Sequence, residues 1–151
     1  MSKITNHFRR LVRCNSGQSL VETALAVSLC GVLMLGAAEF GRLAYAGIEI
    51  SDSARAGVEY GSQSHATAQD LANMKTAASL SAPDIKNLTL TASRSCKCSD
   101  GSSSDCTTAS CVRVITYVKV VTSGSINPLI YVPGLPKSYS LSGTAVMRVV
   151  D

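Results

Sequence analysis

The chain has 151 residues, enough for one modest domain, and a formal net charge of +4. Lys3, Arg9, Arg10 and Arg13 carry all of that excess, because without residues 1–17 ten basic side chains face ten acidic ones. The positive charge is therefore a leader and not a patch, which argues against nucleic-acid binding. Apolar residues make up 46% of the chain, aromatic ones only 5%, and Trp is absent. Much of the apolarity sits in one N-terminal block, so the core of the remainder has to be small.

Residues 1–17 are polar and basic, and end on Asn15-Ser16-Gly17. From Thr23 to Ala38 no side chain is charged. As a helix this run is roughly 24 Å long, and Leu20 and Val21 extend it to about the thickness of a bilayer core. A membrane span over about 20–38 follows, with Glu22 near one interface and Glu39 and Arg42 near the other. Four cations before the span keep the N-terminus cytoplasmic and send the C-terminal body across the membrane. The cysteines agree: Cys96, Cys98, Cys106 and Cys111 crowd one short window, and the translocated side is where disulfides persist.

The helical pattern continues beyond the span. Phe40, Leu43, Ala44, Gly47, Ile48, Ile50, Ala54, Val58 and Gly61 recur at three- and four-residue intervals, with Glu49, Asp52, Arg55 and Glu59 between them. One helix over 18–61 is predicted, apolar in its first half and amphipathic in its second. Glu39 with Arg42, and Asp52 with Arg55, have i,i+3 spacing. Gly61-Ser62-Gln63-Ser64 reads as a break. Thr67 with Asp70 resembles a capping box, and Leu71, Met74, Ala78 and Leu80 predict a short second helix that ends before Pro83.

The period then changes from helix to strand. Leu88-Thr89-Leu90-Thr91 alternates; Val112, Val114, Val118 and Val120 share one face, as do Leu141, Ala145, Met147 and Val149. Ser123 to Lys137, with Pro128, Pro133, Gly134 and Pro136, reads as an irregular loop. The fold class is α+β: a long N-terminal helix, a short second helix and an antiparallel sheet of three or four strands leaning on the outer half of the long helix. Residues 62–151 form the extracytoplasmic domain.

The four cysteines admit zinc, a redox pair or two disulfides. Zinc sites favour wider-separated CxxC pairs and commonly add His, which this window lacks, and a CxxC redox motif is also missing. Two structural disulfides in a turn spanning 96–111 fit best, and nested pairing, Cys96–Cys111 around Cys98–Cys106, suits a hairpin. Cys30 lies in the apolar run behind the bulky Leu29, which argues against lipidation. His65 stands in a polar break with no nucleophile or acid constellation around it. Ala37-x₃-Gly41 and Gly57-x₃-Gly61 are small-residue pairs that let helices approach closely or arise by chance in an Ala/Gly-rich helix.

Several stretches together resemble the TadE-like family of the Tad (tight adherence, Flp) pilus system. They are Gly17-Gln18-Ser19-Leu20-Val21-Glu22, Ala38-Glu39-Phe40-Gly41-Arg42 and Ser53-Ala54-Arg55-Ala56-Gly57-Val58-Glu59-Tyr60. In the tail they are Pro128-Leu129-Ile130, Pro133-Gly134-Leu135-Pro136 and Leu141 to Val149. Thr23 departs from the aromatic often found after the glutamate, and Ser28 stands near the place of a frequent proline.

The resemblance implies a pilin-like protein without catalytic residues, metal or cofactor. It implies a minor pilin (pseudopilin), cut by a prepilin peptidase between Gly17 and Gln18, whose Glu22 pairs with the free amine of a neighbouring subunit. The implied partners are that peptidase, other minor and major pilins, the inner-membrane assembly platform and the lipid bilayer. The implied location is the bacterial inner membrane, single-pass, and then the extracellular pilus, with a part in assembly, adhesion and biofilm formation. Two rivals stay open. One is an uncleaved membrane-anchored scaffold of the same machinery. The other is a disulfide-bonded binding domain released by signal peptidase near Gly36-Ala37-Ala38.

Overall fold

The computed structural model describes residues 16–108, 111–131 and 133–150. The leader cations and Cys14 lie outside them. In chain order the elements are α1 (Ser16–Ser62), α2 (His65–Gln69), α3 (Leu71–Leu80), β1 (Thr89–Cys98), β2 (Ser103–Ser104), β3 (Val114–Ile126) and β4 (Tyr139–Arg148). The fold is α+β with an apolar N-terminal helix, as the periodicities predict. The chain divides into two compact units that meet at Gly41 and Arg42, with α1 contributing to both.

The first unit, as far as it is described, is the apolar half of α1. The helix has 47 residues, well beyond the 20 or so that a bilayer requires. Hydroxyls in this half fold back onto their own turns: Thr23 Oγ1 donates to Ser19 O (2.8 Å) and Ser28 Oγ to Ala24 O (2.7 Å). Such bonds leave no stranded polar group in an apolar medium. Gly31 and Gly36 also lie inside this helix. In water each costs about 1 kcal/mol relative to Ala, but in lipid a broken helix would strand backbone groups at greater cost.

The second unit holds the core. Its sheet has the order β2-β1-β3-β4, antiparallel throughout. Along β3, Thr116, Val118, Val120 and Thr122 are buried, and the alternate positions face outward. Their face packs with Ala92 of β1 and with Val58, Ala68, Met74 and Ala78 of the helices. The strands exceed the sequence reading at both ends: β1 runs on through Cys98, and β3 continues to Ile126. Val112, assigned above to the strand face, precedes β3 and is fully exposed.

The second half of α1 is buried along Ala46, Ile50, Ser53, Ala54, Gly57, Val58 and Gly61. Ile48, placed on the apolar stripe by its spacing, is exposed, and so is Phe40 in the first unit. The packed stripe is made of small residues because two elements come close to the backbone of α1. A Cβ at Gly143 would lie 2.8 Å from Ile50 O and 3.0 Å from Ser51 Cα, so β4 rests on bare helix backbone there. A Cβ at Gly57 would lie 3.0 Å from Met74 O, and one at Gly61 would collide with the Met74 side chain. The Gly57-x₃-Gly61 pair thus admits α3 of the same chain.

Buried hydroxyls tie these layers together. Ser53 Oγ donates to Ala78 O (2.7 Å), which lies in the last turn of α3, where carbonyls lack helical partners. Thr122 Oγ1 donates to Ile50 O (2.7 Å). At the end of α1, Ser62 O accepts from Val150 N (3.0 Å), while Val149 N extends the sheet by donating to Thr116 O (2.9 Å). Among the described residues no buried side-chain polar atom lacks a partner.

The segment read as one short helix is two. Ser64 caps α2 through a capping box with Thr67, and Asp70 caps α3 by accepting from Asn73 N (3.0 Å). Thr67 and Asp70, paired above as one box, therefore belong to successive caps. The Asn73 amide, followed by its side chain, holds the Asp70 carboxyl below its ordinary pKa, and Tyr60 OH adds a weaker bond at 3.4 Å.

Candidate processing and assembly site

Gly17, Gln18 and Glu22 all lie at the start of α1, and all three are exposed. Gly17 is the second helical residue, and its Cα has open space around it. Its position in the first turn, where amides lack helical acceptors, makes it one of the easiest places in α1 to fray. Gln18 and Glu22 are four residues apart, so they share a helix face and sit about 6 Å apart along the axis. Among the described residues Glu22 has no hydrogen-bond or ion-pair partner. A carboxylate without a partner in the second turn of an apolar helix is costly in lipid unless it reaches the interface or meets a cation.

The surroundings of Glu22 decide what kind of site this is. Leu20, Val21, Leu25, Val27, Leu29, Val32, Leu33, Met34 and Leu35 are all between 57 and 73% exposed. They point to every side of the helix, so no single groove covers them. Apolar surface on this scale marks lipid or protein as its environment. α1 is long and apolar enough to cross a membrane, with none of its apolar stretch buried in the chain itself.

The four clustered cysteines form the second constellation. They pair Cys96–Cys106 and Cys98–Cys111, with Cα–Cα distances of 5.2 and 5.9 Å. This crossed connectivity corrects the nested pairing expected above, and the strand register explains it. Both Cys96 and Cys98 lie within β1, on its inward face, and not in a turn. Cys96 stands opposite Ser104, two residues before Cys106. Cys98 stands opposite Val114, three residues after Cys111. Each cysteine therefore meets the partner that its own neighbouring strand delivers.

Between the bridges, two aspartates shape the backbone. Asp100 Oδ1 accepts from Ser102 Oγ (2.7 Å) and Ser102 N (2.9 Å). Asp105 Oδ1 accepts from Thr107 N (3.1 Å) and Thr107 Oγ1 (3.0 Å). The Ser102 hydroxyl chiefly lowers the Asp100 pKa, and the Thr107 amide chiefly lowers that of Asp105. Asp100 Oδ1 and both Asp105 oxygens are engaged within their own turns, and no group of three metal-ligating side chains occurs among the described residues.

Fold and surface thus define a protein with an exposed apolar helix long enough for a membrane and a small disulfide-stapled α+β unit. Residues 17–59 match the family of TadE-like proteins, and over that stretch the chain is similar to them. No curated protein and no solved structure matches the chain. The family match covers nearly all of α1 and ends before α2, so the tail motifs at 128–149 lie outside it.

Proposed function

We propose that this chain is a minor pilin of a Tad pilus, acting by assembly and not by catalysis. Residues 1–17 stay cytoplasmic, α1 crosses the inner membrane, and the disulfide-bonded unit lies outside. A prepilin peptidase cuts after Gly17, and the subunit then leaves the bilayer for the filament, where it serves assembly, adhesion and biofilm formation. Its partners are the peptidase, the assembly platform, and minor and major pilins whose helices replace lipid around α1.

One observation carries this reading: Glu22, without a partner among the described residues, sits two turns into a helix whose apolar residues are exposed on every side. In a bundle of such helices a bare carboxylate is tolerated only beside a cation, and truncation at Gly17 creates one at Gln18. Pairing between neighbours offsets desolvation of both charges and fixes their axial register.

N-terminal sequencing of the protein from sheared pili tests the proposal, with Gln18 expected first. A first residue of Met1, or one at Glu39 after signal-peptidase release, overturns it. Gly17→Arg retains the leader, whereas Glu22→Ala is cut normally but does not enter pili. One observation favours a second reading, an uncleaved scaffold: α1 runs without a break through the Gly17–Gln18 bond. A mature protein in the membrane that keeps its leader would establish it.

A further inference from the structure

The segment joining β3 to β4 exposes apolar side chains although the second unit has its own core. Leu129 is 65% exposed, Ile130 52%, Tyr131 57% and Leu135 55%. Residues 127–138 contain no acid, and their one cation, Lys137, places Nζ 5.8 Å from the centroid of the Tyr131 ring. Leucine and isoleucine beside a tyrosine and a lysine is the composition of a membrane interface. The aliphatic groups enter the acyl boundary, the phenol stays at headgroup depth, and the lysine reaches back to water.

The layout within the second unit says what covers this segment. Ser62 of α1 meets Val150, just past β4. Gly57 lies against Val120, in the middle of β3. Ile50 lies against Gly124 and Gly143. Moving from Ser62 toward Arg42 along α1 therefore leads to the Ile126 and Tyr139 ends of β3 and β4, where this segment lies. From Gly124 to Ile126 the strand advances about 7 Å, which brings α1 to about Ala46. The uncharged apolar run of α1 ends at Ala38, two helical turns earlier in the chain. The exposed apolar segment is at the end of its unit where the chain arrives from the span.

We infer that residues 127–131 and 133–138 form a second membrane contact, seating Leu129, Ile130, Tyr131 and Leu135 in the interface of the bilayer that α1 spans. The inference rests on α1 being a membrane anchor. In the proposed pilin, it makes the bilayer hold the external unit as well as α1, and extraction into a filament breaks both holds.

Because the chain contains no Trp, single substitutions make clean depth probes. Tyr131→Trp, Val32→Trp and Val112→Trp would each be placed in the full-length protein, in vesicles of phosphatidylethanolamine and phosphatidylglycerol. Val32 lies mid-span. Val112 is fully exposed and precedes β3, roughly 40 Å of strand away from the segment. Burial in the interface should blue-shift the Tyr131→Trp emission, lipids brominated near the headgroup should quench it about threefold more than the Val112→Trp indole, and lipids brominated deep in the acyl chains should quench Val32→Trp. Quenching in Tyr131→Trp no greater than in Val112→Trp, with Val32→Trp quenched, overturns the second contact and leaves the anchor standing. An unquenched indole in Val32→Trp overturns the anchor and the inference with it. A blue shift in Tyr131→Trp that follows protein concentration without lipid quenching assigns the segment to a second copy and also overturns the inference. Adding Leu129→Ser and Ile130→Ser should abolish the quenching in Tyr131→Trp and leave that in Val32→Trp unchanged.

Discussion

The two halves of α1 are one continuous helix but belong to different kinds of matter. Before Gly41 its large apolar side chains are exposed on every side, and its glycines touch nothing. After Arg42 its buried stripe is made mostly of small residues, and Gly57 and Gly61 are contact points for α3. The first half is built for an environment that supplies apolar atoms from outside. The second half is built for neighbours of fixed shape. Large side chains thus mark the surface and small ones the core, the reverse of the usual expectation for a water-soluble helix.

The sharpest way to break this contrast is at Gly143, where no side chain is available to yield. Gly143→Val should drive β4 off the Ile50–Ser51 backbone and cost about 3 kcal/mol, the upper end for overpacking. Chemical denaturation of the full-length protein in detergent would read the loss. The same substitution at Gly31, where nothing lies within 4 Å, should leave that transition unchanged.

Removing a bridge should cost nearly as much. Each disulfide is worth about 2–4 kcal/mol. Cys96→Ser with Cys106→Ser should lower the denaturation midpoint while Cys98–Cys111 still forms. Peptide mapping of the parent under non-reducing conditions should recover the crossed pairs, and recovery of Cys96 linked to Cys111 would disprove this register.

Truncating one large side chain in each half sharpens the comparison further. Met74→Ala removes a fully buried side chain that fills the space beside Gly61. It should destabilise the second unit by about 3 kcal/mol. Leu29→Ala, at an exposed position, should not move that transition. Equal losses at the two sites would mean that Leu29 packs within the chain.

The smallest effect concerns Asp70. Its carboxyl titrates below the ordinary range because the charged form accepts from Asn73. The folded pKa is therefore depressed, so the capping contribution is complete above the unfolded value, about pH 4, and disappears as pH falls through the folded value. Asp70→Asn should flatten the stability profile in that acid window and leave the profile near neutrality parallel to the parent.

Much of this was legible in the chain. An uncharged run of bilayer length forces a helix, because no other single segment satisfies its own backbone in lipid. The Met74 and Ala78 spacing located α3, and the alternation in Val118 and Val120 located the buried face of β3. Ile48 misled because three- and four-residue spacing defines a stripe only once its partner is known. The partner here is a glycine-bearing strand that seeks small residues. The disulfide pairing misled because β1 runs well past its Leu-Thr alternation, which places Cys96 and Cys98 within a strand.

Amino-acid order alone therefore settled what is local: the long apolar helix, the α+β class and the cysteine cluster. Each follows from composition and period within a single segment, where nearest neighbours in the chain set the energetics. Tertiary structure decided the crossed bridges, the approach of β4 to bare helix backbone at Gly143, and the placing of the β3–β4 segment at the Arg42 end of its unit. Those depend on register between strands distant in sequence, and a shift of one residue would send every side chain of a strand to the other face.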